Sequence, residues 1–389
     1  MAQRRRTRIL IVDDSAVMRS LLRSVVSADA DLEVAGTAVD GVSALSSISV
    51  LHPDLILLDV EMPVMDGLIT LRELRRRGHK MPVIMCSSLT QRGAKVTLEA
   101  LAGGASDYVA KPTGHSNREA AIRALGQDLA PKIHALTAEH LSPDLRAGYA
   151  QIQGQPQRVI TGQPLAPQFL RVPPSPRAQA ISSTPKVVVI GISTGGPAAL
   201  EALLPALPGN FPLPVLIVQH MPELFTKLFA ERLNSRCRLR VREAAEGDAV
   251  LPGTISIARG NWHLEVLAPT RIGLPPTMHL TQGMLENHCR PAADVLFRSV
   301  AAVYGTGALA VVMTGMGSDG MIGCRAIREH GGAVLAQDQA TSIVWGMPGA
   351  VTNAGLAHKV LSLSDLAPEI LRLASRTHSE ARELRESVV

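Results

Sequence analysis

Short, fully apolar runs that stop at a polar residue or a glycine recur along this chain and restrict its fold more than any other feature. Leu55–Leu58 reads Leu-Ile-Leu-Leu, Val187–Ile190 reads Val-Val-Val-Ile, and Val215–Val218 reads Val-Leu-Ile-Val. Strands without polar alternation are typical of parallel sheets covered by helices on both faces. Hydrophobic residues make up 46% of the chain and aromatic residues only 3%, which fits an interior of small aliphatic side chains. We therefore predict an α/β protein.

The first 130 residues alternate strand and helix patterns five times. Such alternation predicts a doubly wound parallel sheet of the flavodoxin-like kind. The predicted strands are Arg8–Val12, Leu32–Ala38, Leu55–Leu58, Val83–Cys86 and Tyr108–Ala110, and the predicted helices are Ser15–Val26, Asp40–Val50, Gly67–Arg77, Gly93–Ala102 and Asn117–Ala130.

A second α/β unit follows a stretch rich in Gln, Pro and Ala, from about residue 140 to 185, that keeps no helical or strand period. We divide the chain into domains at 1–130 and 185–375, a linker at 131–184 and a tail at 376–389. The second domain is predicted to be Rossmann-like, with a more β-rich part at 239–285. Its predicted strands are Val187–Ile190, Val215–Val218, Leu309–Met313 and Ala333–Ala336, and its helices are Pro197–Leu207, Glu223–Leu233, Pro291–Tyr304 and Met321–His330.

The charge, cysteine and hydropathy patterns indicate a cytoplasmic protein. The net charge of +5 comes largely from local arginine clusters at 4–6 and 75–77, which are more typical of solvated surfaces than of nucleic-acid binding. The four cysteines form no Cys-x-x-Cys pair, as expected for a reducing compartment. We find neither a signal peptide nor an apolar run of membrane-spanning length.

Five polar residues follow predicted strands of the first domain in the same orientation. Asp13 and Asp14 end the first strand, Asp59 the third, Ser87 the fourth and Lys111 the fifth. Three clustered carboxylates repel one another unless a hard cation intervenes, and Mg²⁺ fits because it prefers oxygen ligands. The Ser87 hydroxyl and the Lys111 ammonium could both bind a phosphoryl oxygen. For any one acid taken alone a helix N-cap is the favoured interpretation, but five polar residues in the same position after strands favour a site.

This pattern, with Met-Pro-Val-Met-Asp-Gly behind Asp59, resembles the response-regulator receiver domain over about residues 7–130. The resemblance implies that Asp59 accepts a phosphoryl group from a histidine kinase. It also implies that Asp13, Asp14 and Asp59 bind Mg²⁺, and that Ser87 and Lys111 contact the phosphoryl group. Phosphorylation would then shift the surface of the last strands and helices between two states.

The second domain carries the elements of a serine hydrolase. Ser193 lies in Gly-Ile-Ser-Thr-Gly, between a predicted strand and a predicted helix, where a nucleophile is exposed. His220 follows the next strand, and Asp319 follows a later buried strand within a glycine-rich turn. We predict that these three residues form a catalytic triad. Backbone N–H groups of Thr194 and Met316 are candidates for stabilising the oxyanion.

Competing interpretations of this segment are weaker. The order Ser, His, Asp differs from the order Ser, Asp, His of α/β-hydrolases, so we expect a different fold. Dinucleotide binding needs an acidic residue after the next strand, where the chain has Gln219 and His220. His263, His279 and His288 compete with His220, but none directly follows an apolar parallel-type strand.

The chain resembles the chemotaxis protein-glutamate methylesterases, which combine a receiver with an esterase. The matching motifs are Gly-Ile-Ser-Thr-Gly-Gly-Pro, Val-Gln-His-Met-Pro, Arg-Pro-Ala-Ala-Asp-Val-Leu-Phe and Met-Thr-Gly-Met-Gly-Ser-Asp-Gly. The resemblance implies hydrolysis of glutamate methyl esters on chemoreceptors and deamidation of receptor glutamines. It implies no cofactor in the esterase domain, and a protein that meets membrane receptors without a membrane segment of its own. Cys289 is a departure, since His is expected before Arg290-Pro291.

Two further functions remain open at this level. A receiver joined to a serine hydrolase for another ester or amide would carry the same triad. A receiver joined to a non-catalytic module that binds nucleotide or DNA would not, but no basic helix-turn-helix segment follows the linker.

Overall fold

Residues 5–112, 117–138, 181 and 184–386 are described by the computed structural model, in which two parallel sheets carry helices on both faces. The first sheet has the strand order β2-β1-β3-β4-β5. This arrangement confirms the flavodoxin-like prediction for the first unit. Its elements are β1 Thr7–Val12, α1 Ala16–Ser27, β2 Leu32–Ala38, α2 Gly41–Leu51, β3 Leu55–Asp59, α3 Gly67–Arg76, β4 Val83–Ser87, α4 Gln91–Ala102, β5 Asp107–Ala110 and α5 Arg118–Leu136.

Side-chain caps fix where the helices of the first unit begin. The caps accept hydrogen bonds from backbone N–H groups that have no partner within the helix. The last helix of this unit was predicted over Asn117–Ala130, which is too short. The helix continues through Pro131 to Leu136, and Leu129 and Ile133 on either side of the proline are buried against the sheet. The capping residues are Ser15, Asp40, Asp66, Thr90 and Asn117.

The second sheet has the order β14-β13-β12-β6-β7-β9-β8, with every strand pair parallel, and β10 and β11 form a separate antiparallel pair. It confirms a second doubly wound domain. The elements are β6 Val187–Ile192, α6 Gly196–Leu203, β7 Val215–Gln219, α7 Glu223–Asn234, β8 Arg240–Glu243, β9 Thr254–Ile257, β10 His263–Leu267, β11 Thr277–Thr281, α8 Ala293–Tyr304, β12 Ala308–Val312, α9 Met321–Glu329, β13 Ala333–Gln337, α10 Met347–Asn353, β14 Lys359–Leu361 and α11 Leu363–Glu386.

Three elements at the end of the second unit were not predicted. The strand β14 is only three residues long and lies at the sheet edge, so it carries no apolar run. The helix α10 is seven residues long and begins with Met-Pro-Gly, which reads as a turn. The helix α11 continues to Glu386, past the predicted start of the tail. Most of the predicted linker, residues 139–180 and 182–183, lies outside the described residues.

The two units pack against each other through α4 and β5 of the first and α6 and α7 of the second. The ring of Tyr108 stacks on that of Phe225, with the centroids 4.6 Å apart and the planes inclined by 16°. The hydroxyl of Thr194 donates to Asp107 Oδ2 at 2.6 Å, and both residues are buried. The first unit therefore lies directly beside the turn that carries Ser193.

In the part of the chain described here, no helix combines the length and the apolar character that crossing a bilayer requires.

Close packing between β6 and α8 leads to the first prediction. A Cβ atom added to Gly191 would lie 2.8 Å from Ala293 Cβ and 3.1 Å from Phe297 Cζ. We expect Gly191→Ala to lower the free energy of unfolding by about 1–3 kcal/mol, because the helix has to move outward. Urea denaturation of the full chain measures this. Gly209→Ala, where the nearest atom is 3.7 Å away, is the control, and equal stability of the two variants would contradict the prediction.

Candidate active site

The acidic cluster of the first unit lies at the carboxyl ends of β1 and β3. Asp13 and Asp59 are buried, whereas Asp14 is exposed. Lys111, which follows β5, places its Nζ atom 2.7 Å from Asp59 Oδ1 and 3.0 Å from Asp13 Oδ2. The ammonium group of Lys111 therefore balances the two buried carboxylates at the edge where the strand ends meet.

The same cluster has the chemistry of a cation site. One oxygen from each of Asp13, Asp14 and Asp59 lies within 4.8 Å of the others. Burial raises the pKa of Asp59 to about 6, because the loss of water outweighs the hydrogen bond from Lys111. Among the described residues, Asp59 Oδ2 has no hydrogen-bond partner although it is buried. These oxygens fit a hard divalent cation such as Mg²⁺.

Ser87 ends β4 in a fully buried position. Its hydroxyl accepts a hydrogen bond from Thr97 Oγ1 on α4 at 2.7 Å and donates to the carbonyl of Ser88 at 3.2 Å. The hydroxyl is thus engaged with α4 and its preceding loop.

Ser193 lies at the turn between β6 and α6, and β6 ends two residues later than we predicted. The strand extends through Gly191 and Ile192, because Ile192 still pairs with Gln219 on β7. The Gln219 side chain donates through Nε2 to the Ser193 carbonyl at 3.0 Å, and the Ser193 N–H donates to the Thr314 carbonyl at 3.0 Å. The turn is therefore held from both neighbouring strands.

Glycines let other chain segments approach this turn. Gly195 has φ +78°, a left-handed conformation that side chains rarely adopt. A Cβ atom on Gly315 would lie 2.8 Å from Ser193 Cβ and 2.5 Å from the sulfur of Met347. The glycine-rich turn after β12 is thus packed directly against Ser193.

His220 and Asp319 meet at the carboxyl ends of the strands that flank β6. The distance between His220 Nε2 and Asp319 Oδ2 is 2.7 Å. The His220 N–H donates to the Ile192 carbonyl, which places the histidine next to Ser193 across the β6–β7 pair. The structure therefore brings His220 and Asp319, 99 residues apart, into direct contact beside Ser193.

Asp319 is the most heavily bonded carboxylate of the site. It accepts hydrogen bonds from the backbone N–H groups of Ala293 and Asp294 in the first turn of α8, from Gly320 N–H, and from the Asn287 side chain. Burial opposes its charge, but the bond from His220 and these N–H groups prevail and lower the pKa of Asp319. The helix start adds a favourable dipole. The carboxylate is thus fixed in its charged form.

The second ring nitrogen of His220 has a thiol as its neighbour. Cys289 Sγ lies 3.6 Å from His220 Nδ1. Burial of the ring opposes its charge, but Cys289 and Asp319 outweigh it and raise the pKa of His220 to about 10.

Among the described residues, Ser193 Oγ makes no hydrogen bond. Ser193 and His220 are therefore neighbours whose side chains are not joined in this conformation.

The two oxyanion candidates lie on either side of Ser193. The hydroxyl of Thr314 donates to the Thr194 carbonyl at 2.9 Å, so this peptide is fixed. Within the described residues, the backbone N–H groups of Thr194 and Met316 make no hydrogen bond to protein atoms. Both remain candidates for binding an oxyanion.

The three histidines that competed with His220 in the sequence lie outside the contact between His220 and Asp319. His263 is buried and hydrogen-bonds through both ring nitrogens to the backbone of Met284 and Ala292. His279 pairs with Glu246 on the surface, where their hydrogen bond raises the pKa of the histidine. His288 has a positive φ of 62° in a turn.

Two polar residues of the site were missed in the sequence. Asp294 is fully buried, and burial together with the nearby Asp319 raises its pKa to about 6. It lies in the motif Arg-Pro-Ala-Ala-Asp, where an acid at a predicted helix start was the available signal. Asn287 donates to both Asp294 and Asp319, and nothing in its sequence surroundings indicates this role.

Known proteins match the chain over nearly its whole length. Residues 188–370 match the CheB methylesterase family and residues 9–123 the response regulator receiver domain. A protein-glutamate methylesterase/protein-glutamine glutaminase of Nocardioides sp. is 48% identical over 95% of this chain and 96% of its own length. One from Trichodesmium erythraeum is 45% identical over 94% and 98%. The chain belongs to the protein-glutamate methylesterase/protein-glutamine glutaminase family.

Solved structures match the two domains of this family member separately. The Thermotoga maritima CheB methylesterase catalytic domain is 41% identical and covers 49% of this chain and 98% of its own, with a TM-score of 0.47. The response regulator domain of Thermotoga maritima CheB is 38% identical over 36% and 100%, with a TM-score of 0.31. The family membership confirms the resemblance drawn from the sequence motifs.

The buried pair of carboxylates predicts a pH-dependent stability. Since the pKa of Asp294 is raised from 3.8 to about 6, its contribution is present below pH 3.8 and lost as the pH rises through about 6. We expect the free energy of unfolding to fall less steeply for Asp294→Asn than for the wild type between about pH 4 and pH 7. Urea denaturation across this range measures the difference. Asp66→Asn, outside the buried cluster, is the control, and parallel pH profiles for wild type and Asp294→Asn would contradict the prediction.

Proposed function

We propose that this chain is a phosphorylation-controlled hydrolase that removes methyl groups from glutamate methyl esters of chemoreceptors and deamidates receptor glutamines. The names of its relatives support the substrate class. The observation that carries the proposal is the 2.7 Å contact between His220 and Asp319 at the strand ends next to Ser193. We assign the nucleophile to Ser193, the general base to His220 and the orienting carboxylate to Asp319.

The hydrogen bond to Asp319 decides which nitrogen of His220 acts as the base. A carboxylate only accepts hydrogen bonds, so the ring must donate through Nε2. In the neutral ring, Nδ1 is then the atom with a free lone pair. We expect a rotation of the Ser193 side chain to bring its hydroxyl to this nitrogen, since the two residues follow neighbouring strands.

In the reaction, Ser193 Oγ attacks the ester carbonyl while His220 Nδ1 takes the hydroxyl proton. The charge on the carbonyl oxygen is stabilised by the N–H groups of Thr194 and Met316. The C–O bond to the methoxy group breaks, and His220 returns the proton so that methanol leaves. Water then cleaves the acyl-enzyme by the same steps and restores Ser193. A glutamine side chain follows the same path, with ammonia as the leaving group, and no cofactor takes part.

Ser193→Ala should lower turnover by about 10⁶-fold, because the nucleophile is removed while the binding surface stays. Methanol release from methylated chemoreceptor is the measurement. The exposed Ser235 provides a control, since Ser235→Ala should retain wild-type turnover. Near wild-type methanol release by Ser193→Ala would exclude this nucleophile. If Ser193→Ala lost activity only on other esters and the wild type released no methanol, a hydrolase of a different substrate would be favoured.

For the receiver domain we propose that Asp59 accepts a phosphoryl group from a histidine kinase. Asp13, Asp14 and Asp59 would bind Mg²⁺, which supplies positive charge against the carboxylates and the phosphoryl oxygens. Lys111 already lies 2.7 Å from Asp59 and is able to pair with a phosphoryl oxygen. Ser87 would donate its hydroxyl proton to a phosphoryl oxygen instead of to the Ser88 carbonyl.

The packing between the domains supports inhibition by the unphosphorylated receiver. Asp107 and Tyr108 of β5 contact Thr194 and Phe225, so the receiver surface covers the chain segment next to Ser193. A chemoreceptor is a large substrate and needs this side of the sheet to be open. Phosphorylation of Asp59 would weaken the packing, and the segment between the domains would permit the movement.

Tyr108→Ala in the full chain should raise basal methanol release, because the stack on Phe225 is lost and the receiver packs less tightly. The increase should persist in the double variant with Asp59→Asn, since it does not need phosphorylation. Val64→Ala, at a receiver position that is 86% exposed, is the control and should leave the basal rate unchanged. An unchanged or lower basal rate in Tyr108→Ala would argue against an inhibitory receiver.

A further inference from the structure

A two-residue turn carries Cys289 to the catalytic imidazole. Glu286 and Cys289 exchange backbone hydrogen bonds of 3.1 and 2.9 Å, and the two residues between them have φ of 52° and 62°. Positive φ at both central positions is the geometry of a type I′ turn, which asparagine tolerates and histidine adopts at a cost. Because histidine adopts this conformation at a cost, contacts with the rest of the protein must hold the 286–289 turn in place.

The turn contacts both members of the His220–Asp319 pair. The Asn287 side chain donates to Asp319 Oδ1 at 3.0 Å and to Asp294 Oδ2 at 2.9 Å. On the other strand of the turn, Cys289 Sγ lies 3.6 Å from His220 Nδ1. One short segment thus fixes the carboxylate from one side and the imidazole from the other.

The nitrogen that faces Cys289 is the one that Ser193 needs. His220 donates through Nε2 to Asp319, so Nδ1 is its remaining hydrogen-bonding atom. A thiol that donates to Nδ1 occupies its lone pair. A thiolate that accepts from Nδ1 leaves the ring charged and without a lone pair. In both states one proton is shared between sulfur and nitrogen, and Nδ1 is closed to Ser193.

We propose that Cys289 is a positioning residue for the esterase reaction, whose sulfur binds Nδ1 of His220 and must release it before Ser193 can use that nitrogen. This inference rests on the proposed function, because it concerns the base of that reaction. Cys289 acts through His220 and needs no contact with the substrate.

The charges around the ring support a shared proton. Asp319 faces Nε2, Asp294 lies behind Asp319, and on the turn itself Glu286 pairs with Arg298 at 2.5 Å. The Glu286–Arg298 pair is partly exposed, so solvent screens its effect on the ring. Burial opposes a charged imidazole, yet Cys289 and Asp319 together raise the pKa of His220 to about 10. The sulfur is the contributor to this balance that a single substitution removes without altering the carboxylates.

The test is a titration of His220 in the full chain, followed by NMR of ¹⁵N-labelled imidazole, in the wild type, Cys289→Ala and Cys289→Ser. We expect the ring pKa to fall by about one pH unit or more in Cys289→Ala, because a neighbouring ionisable group is lost. It should fall in Cys289→Ser as well, since a hydroxyl bonds to Nδ1 without ionising. The serine variant has nearly the same shape as cysteine and keeps the test decisive where alanine does not fold.

Cys237 provides the matched control, because it is the other partly buried thiol of the chain and lies outside the site. Cys237→Ser should leave the titration of His220 unchanged. The acidic limb of the kcat/KM profile should move to lower pH in the Cys289 variants by the same amount as the ring pKa. An unchanged ring pKa in both Cys289 variants overturns the inference. A raised ring pKa in Cys289→Ala supports it in the form in which a neutral thiol donates to Nδ1, because loss of that donor frees the lone pair.

The titration separates this inference from the proposed function. The titration measures the pKa of the His220 ring directly and needs no turnover. A wild type without methylesterase activity would therefore refute the proposed function alone. A lowered ring pKa with an unmoved kcat/KM profile would show that Cys289 binds Nδ1 but that His220 is not the base.

Discussion

The buried carboxylate of Asp319 is the interaction on which the site depends. A charge at a position only 2% exposed is tolerated because donors surround it: two N–H groups at the start of α8, one at Gly320, the Asn287 amide and the His220 ring. Since two of the backbone donors belong to α8, which packs on β6, the position of the carboxylate follows from the packing of the core. His220 then takes its orientation from a group that cannot move, and one of its nitrogens is committed before any substrate binds.

The sheet explains why residues so distant in sequence meet. Strands β12, β6 and β7 are neighbours, and the chain passes from β6 to β7 on one side and reaches β12 on the other. Loops after such strands open away from each other at this switch point, which leaves a crevice at the carboxyl edge. Ser193 stands at its centre, with His220 after one neighbouring strand and the loop of Asp319 after the other. The same rule places Asp13 and Asp59 together in the receiver, where β1 and β3 are adjacent.

Sequence patterns predicted the strands and helices that have a clear hydrophobic period. They failed for element ends and side-chain contacts that tertiary packing determines. The buried strand Leu55–Asp59 was found because its apolar run is unbroken, and so was the polar residue at its end. The strand β6 was predicted to end before Gly191, whereas pairing with two neighbours carries it to Ile192. The helix α5 was predicted to end at Ala130, whereas burial of the turns on both sides of Pro131 carries it to Leu136. Asn287 and the contact of Cys289 with His220 could not be foreseen, because they arise from a turn whose central residues lack the usual Asn-Gly signature.

The interior of the molecule also joins the two sites through packed elements. Ser87 binds Thr97 on α4, and α4 packs on α6 and α7 of the esterase domain. The helix α6 begins at Gly196, three residues after Ser193, so it cannot shift without disturbing the turn that presents the hydroxyl. A coupling between sites requires an element with two discrete arrangements. In our proposal the Ser87 hydroxyl meets this requirement, because its single proton can go to the Ser88 carbonyl or to a phosphoryl oxygen on Asp59 but not to both. The proposed connection therefore consists of one exchanged hydrogen bond and one rigid helix rather than a long chain of contacts.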